Sequence, residues 1–280
     1  VLCGGEQAAL ASAAGITLPG WGLAVRLEVA FLPRDVPAPA GRVCVVLDVL
    51  RASSTLVTLL EAGAAPVYVA GTVDAARALA AGLPGGALLC GEVGGLPPPG
   101  FDHGNSPTEM AGLALAGRPV VLATSNGTRA LAALAAAPAV LVGCFLNAGA
   151  VVARGLALAR ALGADLALVC SGDANGSQFS LEDALAAGCL VDRVLAREGA
   201  EATALDDAAR AAWRLWQAYV ADCTPPQAAA RGFAESAHGR DLARLGFAAD
   251  LAYCARADAS RAVPRLAVDG DRLVLREADG

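Results

Sequence analysis

Short apolar runs of four to six residues alternate along most of this chain with Ala/Leu-rich stretches long enough for helices, and that alternation limits the fold more than any single motif. Leu27–Leu32, Val43–Asp48, Pro66–Ala70, Ala87–Cys90, Pro119–Ala123, Val140–Cys144 and Leu166–Cys170 read as strands. Ser54–Ala62, Thr72–Ala81, Pro107–Ala114, Thr128–Ala135 and Ala148–Leu162 read as the helices between them. Strands this uniformly apolar are buried on both faces. The pattern therefore predicts a three-layer α/β/α protein with a largely parallel or mixed sheet.

After Cys170 the rhythm changes. Ser180–Ala196, Ala204–Val220 and Pro225–Ala234 are expected helices, and Val263–Val268 and Arg272–Leu275 close the chain as a short hairpin turned by Asp269-Gly270. Residues 25–170 form an α/β portion that carries most motifs. Residues 171–280 form a mainly helical portion expected to pack against it and share its active site. Residues 1–24 contain no Arg, lack the basic start of a signal peptide, and read as an N-terminal extension.

Composition removes several chemistries. All 21 basic residues are Arg. Without Lys there is no Schiff-base lysine, no Walker-type phosphate loop and no Ser-Lys dyad. His103 and His238 are the only histidines, so a three-His zinc site or an H-E-x-x-H protease is excluded. A net charge of −6 argues against a nucleic-acid partner. The 8 cysteines form no C-x-x-C pair, and Cys44, Cys90, Cys144 and Cys170 sit in strand-like runs, as small buried hydrophobes of a cytoplasmic protein would. No apolar run reaches the ~20 residues of a membrane span without Gly, Pro or charge, so no membrane partner is expected.

The polar residues cluster where strands end. Val43–Leu47 runs into Asp48-Val49-Leu50-Arg51-Ala52-Ser53-Ser54-Thr55. Ala87–Cys90 runs into Gly91-Glu92, then Phe101-Asp102-His103-Gly104-Asn105-Ser106-Pro107-Thr108-Glu109. Pro119–Ala123 runs into Thr124-Ser125-Asn126-Gly127-Thr128. Leu166–Cys170 runs into Ser171-Gly172, and Phe179-Ser180-Leu181-Glu182-Asp183 opens a helix. Open α/β sheets bind ligands outside the carboxyl ends of their strands, so these clusters are expected on one rim. Asp48, Glu92, Asp102 and Asp183 are hard oxygen ligands suited to Mg²⁺. Arg51 offers a fork that fits phosphate, and helix starts offer N–H groups to an anion.

Plainer readings stand beside these. Ser106-Pro107-Thr108-Glu109 is a capping box with Pro at the first helical position, which makes Glu109 a cap. Ser180–Asp183 has a similar pattern, as does Thr203-Ala204-Leu205-Asp206, where no chemistry is evident. His103 reads as a solvated loop residue. His238 reads equally as a helix-start histidine, and Ser125–Thr128 equally as a turn. Asp48 resists such a reading, because an ionisable group that ends an apolar strand must be paired, metal-bound or solvated.

The order and spacing of these clusters resemble the 2-phosphosulfolactate phosphatase family. The resemblance rests on Val46–Thr55, Gly91-Glu92 with Gly100–Pro107, and Thr124–Thr128. It extends to Phe145-Leu146-Asn147-Ala148, Phe179–Asp183, Ser236-Ala237-His238-Gly239, and Gly246–Cys254 with Asp258 and Val263-Pro264. It departs from the family at Thr124-Ser125, where a longer hydroxyl stretch is usual. It departs again at Ser171-Gly172-Asp173 and Ser177-Gln178, where an Ala-Gly pair and a basic residue are usual.

The resemblance implies a Mg²⁺-dependent phosphoric monoester hydrolase that converts 2-phosphosulfolactate to 3-sulfolactate and phosphate, a step of coenzyme M biosynthesis, or acts on a related phosphorylated 2-hydroxy acid. On this expectation Asp48, Glu92 and Asp183 hold Mg²⁺. Arg51, Ser53, Ser54, Asn105, Ser125, Asn126, Gly127 and Thr128 bind phosphate or the substrate carboxylate, and His238 protonates the leaving alkoxide. Asp48 lacks a D-x-D-x-T context, which favours direct attack by water. A homodimer through the helices after Ser180 is expected. Two alternatives remain. A dinucleotide-dependent oxidoreductase needs a G-x-G-x-x-G after the first strand, which is missing, and a non-catalytic phospho-ligand sensor would not need all three carboxylates.

Overall fold

The computed structural model describes residues 25–278 apart from 37 and 202. The extension expected at residues 1–24 lies outside the described residues. The apolar runs form strands β1 (Arg26–Ala30), β2 (Arg42–Leu47), β3 (Val67–Ala70), β4 (Leu88–Gly91), β5 (Val120–Ala123), β6 (Ala139–Gly143) and β7 (Asp165–Cys170). Between them lie helices α1 (Ala52–Glu61), α2 (Val73–Ala81), α3 (Pro107–Ala111), α4 (Gly127–Ala133) and α5 (Ala148–Leu162). The chain continues through α6 (Leu181–Glu198), β8 (Ala204–Leu205), α7 (Asp207–Val220), α8 (Pro225–Glu235), α9 (Ala237–Arg244), α10 (Ala248–Cys254), β9 (Pro264–Asp269) and β10 (Arg272–Glu277).

The ten strands make one mixed sheet in the order β4-β5-β3-β10-β9-β6-β2-β7-β1-β8. The pairs β4/β5/β3 are parallel, as are β6/β2/β7/β1/β8. The C-terminal hairpin joins the two blocks through antiparallel pairs: β10 with β3, and β9 with β6. Leu47 is in register with Gly143 and with Cys170, so the loops after β2, β6 and β7 leave the sheet side by side.

Period-two alternation divides the core. Val43, Val45 and Leu47 face α5, α6 and α7, where Val151, Leu156, Leu185, Leu190 and Trp216 cover them. Cys44 and Val46 face the other way. They share a second core with Leu56 and Leu59 of α1, Leu131 of α4, and Val69, Cys90 and Leu122 of the other block. Ala76 of α2 covers the outer face of that block with Tyr68, Val121 and Val274. The result is the three-layer α/β/α arrangement, and each fully buried Val or Leu contributes roughly 1.5–3 kcal/mol. Phe145–Leu162 is long and apolar enough to cross a membrane, but half of it is buried and it packs on the sheet as a core helix.

Several elements differ from expectation. The predicted helix from Ala204 begins at Asp207, because Ala204 and Leu205 pair with Arg26 and Leu27 as an edge strand. Asp206 rather than Thr203 is the cap, accepting from the Ala209 N–H at 2.7 Å. The hairpin turn is Gly270-Asp271, one residue beyond the expected pair, since Asp269 is still opposite Arg272. Helix α3 stops at Ala111. Helices α9 and α10 were not anticipated; Ser236 caps α9 by accepting from the Gly239 N–H at 3.0 Å.

Because β9–β10 joins the two parallel blocks, its core side chains hold the sheet together. Leu275→Ala, at a residue 1% exposed, is expected to cost about 2–5 kcal/mol. Val268→Ala, 62% exposed on the neighbouring strand, is expected to stay within about 0.5 kcal/mol. Urea denaturation of the two variants measures the difference.

Candidate active site

The loops at the ends of β2, β4 and β5 converge with α9 around a cavity of about 210 Å³. Asp48, Arg51 and Glu92 line it, as do Asn105, Ser125, Asn126 and His238. Those seven expected residues are brought together. Gly95, Asp173, Asp241 and Leu245 complete much of the wall.

Asp48 follows directly on β2 and is 7% exposed. Its own N–H donates to Ser53 Oγ at 2.9 Å, and its Oδ1 accepts from the Ala52 N–H at 3.3 Å as α1 begins. Burial pushes its carboxyl up to about 6. His238 opposes that rise and Glu92 adds to it, while N–H donors at Ala52 and Gly127 lower it. Gly127 comes so close to this carboxylate that a Cβ there would lie 2.7 Å from Asp48 Oδ2 and 2.8 Å from the Ala52 methyl. Only glycine fits.

Glu92 ties the other block to the site. Its Oε1 accepts from the Ser125 N–H at 2.7 Å and its Oε2 from the Gly95 N–H at 2.9 Å. Asn126 Oδ1 accepts from the Asn175 N–H at 2.9 Å, which brings the 173–178 loop to the mouth.

Arg51 is 2% exposed and held from several sides. Its Nη1 donates to Asp250 Oδ2 at 2.8 Å, its Nη2 to the Gly95 carbonyl at 2.8 Å, and its guanidinium lies 4.0 Å from the Phe247 ring centre. Asp250 also accepts from Ser106 Oγ at 2.7 Å and from the Thr108 hydroxyl and N–H. Asp250 and Phe247 stand in a motif visible in the sequence, but neither was assigned a role; the paired Arg and Asp lie 199 residues apart.

Of the three carboxylates expected to hold Mg²⁺, Asp48 and Glu92 line the cavity and Asp183 does not. Among the described residues, no three His, Cys, Asp or Glu side chains converge as a metal cage. Asp183 sits behind the wall, where its Oδ1 accepts from the Val49 N–H at 2.9 Å and its Oδ2 from Ser171 Oγ at 3.2 Å and the Gly172 N–H at 3.3 Å. Burial, then the charge of Asp48, lifts its carboxyl well above the ordinary range. Asp102 is turned away as well, accepting from the Leu89 N–H at 2.8 Å.

The cavity still fits Mg²⁺. Asp48 and Glu92 line it with Asn105, whose side-chain amide oxygen Oδ1 is buried without a hydrogen-bond partner. That donor set is all oxygen, and Mg²⁺ ordinarily takes one or two carboxylates and keeps several waters.

The other expected phosphate ligands, Ser53, Ser54, Gly127 and Thr128, do not line the cavity. Ser53 is consumed by the Asp48 N–H, Ser54 donates to the Val49 carbonyl at 2.9 Å, and Thr128 exchanges hydrogen bonds with Thr124. Glu109 and His103 pair at 2.6 Å outside the cavity, and Ser106 caps α3 through the Glu109 N–H.

The family model described as 2-phosphosulpholactate phosphatase matches residues 31–269. A relative from Deinococcus radiodurans, named a probable 2-phosphosulfolactate phosphatase, is 42% identical over 88% of this chain and 95% of its own length. Relatives with the same name from Carboxydothermus hydrogenoformans and Gloeobacter violaceus are 36% and 34% identical over 91% and 88% of the chain, covering 98% and 97% of their own lengths.

Two outcomes follow from Asp48. Folding raises its carboxyl from 3.8 to about 6, so the native state binds the proton more tightly and Asp48 lowers stability as pH rises through that window. Without added metal, Asp48→Asn is therefore expected to gain up to about 3 kcal/mol on the native protein between pH 3.5 and pH 7, read from paired denaturation curves. Gly127→Ala is expected to displace the Asp48 carboxylate and lower catalytic efficiency at least about tenfold while the fold survives, as circular dichroism and steady-state kinetics would show.

Proposed function

The chain belongs to the 2-phosphosulfolactate phosphatase family, and from that premise we propose that it is a Mg²⁺-dependent phosphomonoesterase acting on a phosphorylated 2-hydroxy acid, the class to which 2-phosphosulfolactate belongs. One observation carries this reading: Asp48, Glu92, Arg51 and His238, from both blocks of the sheet and from α9, face a single small cavity. Asp48 and Glu92 would hold the metal with Asn105 Oδ1, and Mg²⁺, when bound, would supply positive charge against the phosphoryl oxygens.

The chain's own groups do the rest. Arg51, clamped by Asp250, Gly95 and Phe247, presents its remaining N–H groups to the phosphoryl group without having to reorganise. Ser125 and Asn126 border the same space and offer polar contacts to the phosphate or the substrate carboxylate. Water attacks phosphorus, the ester P–O bond breaks, and His238 gives the leaving alkoxide its proton. Asp183 acts one layer back. It fixes Val49 and the Ser171-Gly172 turn, and so the direction of the chain at Asp48. A cytoplasmic homodimer formed through the helices after Ser180 belongs to the same proposal.

Phosphate release from 2-phosphosulfolactate and 2-phospholactate, with Mg²⁺ and with EDTA, tests the reaction. Release from at least one, abolished by EDTA, is expected. Asp48→Asn and Arg51→Lys should each lower it at least about a hundredfold, since lysine cannot replace the fork. Rapid-quench mass spectrometry should find no phosphate on Asp48. Binding without any release would instead indicate a sensor.

A further inference from the structure

Asp250 does not line the cavity, yet both oxygens of its carboxylate are engaged beside it. It is 1% exposed and stands in the first turn of α10. Its Oδ2 accepts from Arg51 Nη1 at 2.8 Å. Its Oδ1 accepts from Ser106 Oγ at 2.7 Å, from the Thr108 N–H at 3.3 Å and from the Thr108 hydroxyl. A carboxylate offers about four acceptor positions, so these donors use it up and leave nothing for a ligand. Whatever Asp250 contributes to the site, it contributes through its partners.

The two oxygens serve different walls. Oδ2 holds the guanidinium of Arg51, which the Gly95 carbonyl and the Phe247 ring restrain from other directions. Phe247 directly precedes α10, so one short helix brings both the ring and the carboxylate to Arg51. Oδ1 holds the turn that opens α3. There Ser106 Oγ accepts from the Glu109 N–H while it donates to Asp250, so the carboxylate orients the cap itself. Asn105, the residue before that cap, lines the cavity. Its Oδ1 has no hydrogen-bond partner among the described residues, so the backbone of the turn sets where it stands.

Arg51 follows β2 and Asn105 follows β4, and these strands belong to different blocks of the sheet. Strand register therefore does not fix the distance between the two residues. The Asp250 carboxylate, brought in from α10, bonds to both segments.

We propose that Asp250 is the positioning residue that sets Arg51 and Asn105 relative to each other, and so couples the phosphate side of the cavity to its metal side. The inference rests on the phosphomonoesterase reading, which gives Arg51 the phosphoryl group and Asn105 a share in Mg²⁺. Placement is worth this much burial because a shift of about 1 Å in a reacting arrangement can cost on the order of a hundredfold in rate. An amide at position 250 cannot stand in for the carboxylate. It has one acceptor oxygen, and whichever way it turns, its NH2 meets the N–H donors of Arg51 or of Thr108.

The test uses the full chain, with circular dichroism confirming that each variant is folded at the assay temperature. Asp250→Asn is expected to lower kcat/KM for 2-phosphosulfolactate about a hundredfold. It should also weaken inorganic phosphate about tenfold and Mg²⁺ about threefold, each titrated alone by calorimetry. Thr108→Val removes only the hydroxyl from Oδ1, and should weaken Mg²⁺ about threefold while phosphate stays within about twofold. In an Arg51→Ala background, Asp250→Asn should cost no more than about tenfold further in kcat/KM, because the branch through Arg51 is already gone. A residue that merely holds the fold together would cost the same factor in both backgrounds, and that result overturns the proposal. Mg²⁺ binding that neither Asp250→Asn nor Thr108→Val weakens overturns it as well. Where Asp250→Asn does not fold, the Thr108→Val split between Mg²⁺ and phosphate decides alone. If the native chain releases no phosphate, the phosphomonoesterase reading fails, and the two titrations decide the positioning role. The stated pattern sustains it, and unaltered or absent binding overturns it.

Discussion

Two carboxylates buried in one interior, Asp48 and Asp183, are the constraint to which the rest of the site answers. Like charges in a low-dielectric interior cannot both ionise freely, and burial holds both carboxyls up. The fold resolves this by giving them different surroundings. Asp183 is enclosed by the Val49 N–H, the Ser171 hydroxyl and the Gly172 N–H. Asp48 keeps one side open to the cavity and takes its support from the start of α1 and from Gly127. The register of β2 against β7 follows from the same arrangement, since the Ser171 N–H closes on the Leu47 carbonyl at 2.7 Å and sets the two strand ends level.

Arg51 shows the complementary economy. A guanidinium buried this deeply needs a carboxylate, and Asp250 supplies one with both side chains about 1% exposed. Four carboxylates, those of Asp48, Glu92, Asp173 and Asp241, share the cavity wall with Arg51 and His238, and the Arg51 charge is already matched by Asp250. A bound cation would favour the proposed phosphate substrate in such a cavity. The all-oxygen donor set of Asp48, Glu92 and Asn105 supplies the means to hold one. The proposed Mg²⁺ rests on that donor chemistry.

Most of the elements were legible because their cause is local. Val43–Leu47 is apolar on both faces and stops at an aspartate, which specifies a buried strand and its end without reference to anything distant. Asp206 was misjudged because Thr203 also opens a plausible box; the choice was made by Leu27 and Arg26, which draw Ala204 and Leu205 into the sheet. Helices α9 and α10 are only eight and seven residues long, too short to be stable alone, so their stability comes from packing that no window of sequence displays. The place of the C-terminal hairpin between the two blocks is a wholly non-local fact. The same distinction separates the site residues. Asp48, Glu92 and Asn126 announce themselves at strand ends, while Asp250 acquires meaning only when the chain brings it to Arg51.

The reading of Ser180–Asp183 as either a helix cap or a functional motif sets up an opposition that the structure dissolves. Ser180 accepts from the Asp183 N–H, as a cap should. The side chain of Asp183 is thereby left free to point out of the helix, and it uses that freedom to pin the ends of β2 and β7. Glu182, one residue earlier and about 100° away around the helix, instead lines a hollow beside the cavity together with Asp173 and His238. Capping fixes the rotation of the first turn, and that rotation decides which carboxylate pins the strand ends and which does not. Thr203–Asp206 shares the spelling but not the outcome. Its Asp is the cap, so its side chain is spent on the Ala209 and Val29 N–H groups. What separates a functional cap from a purely structural one is therefore where the cap falls within the motif, because that alone leaves the later carboxylate available.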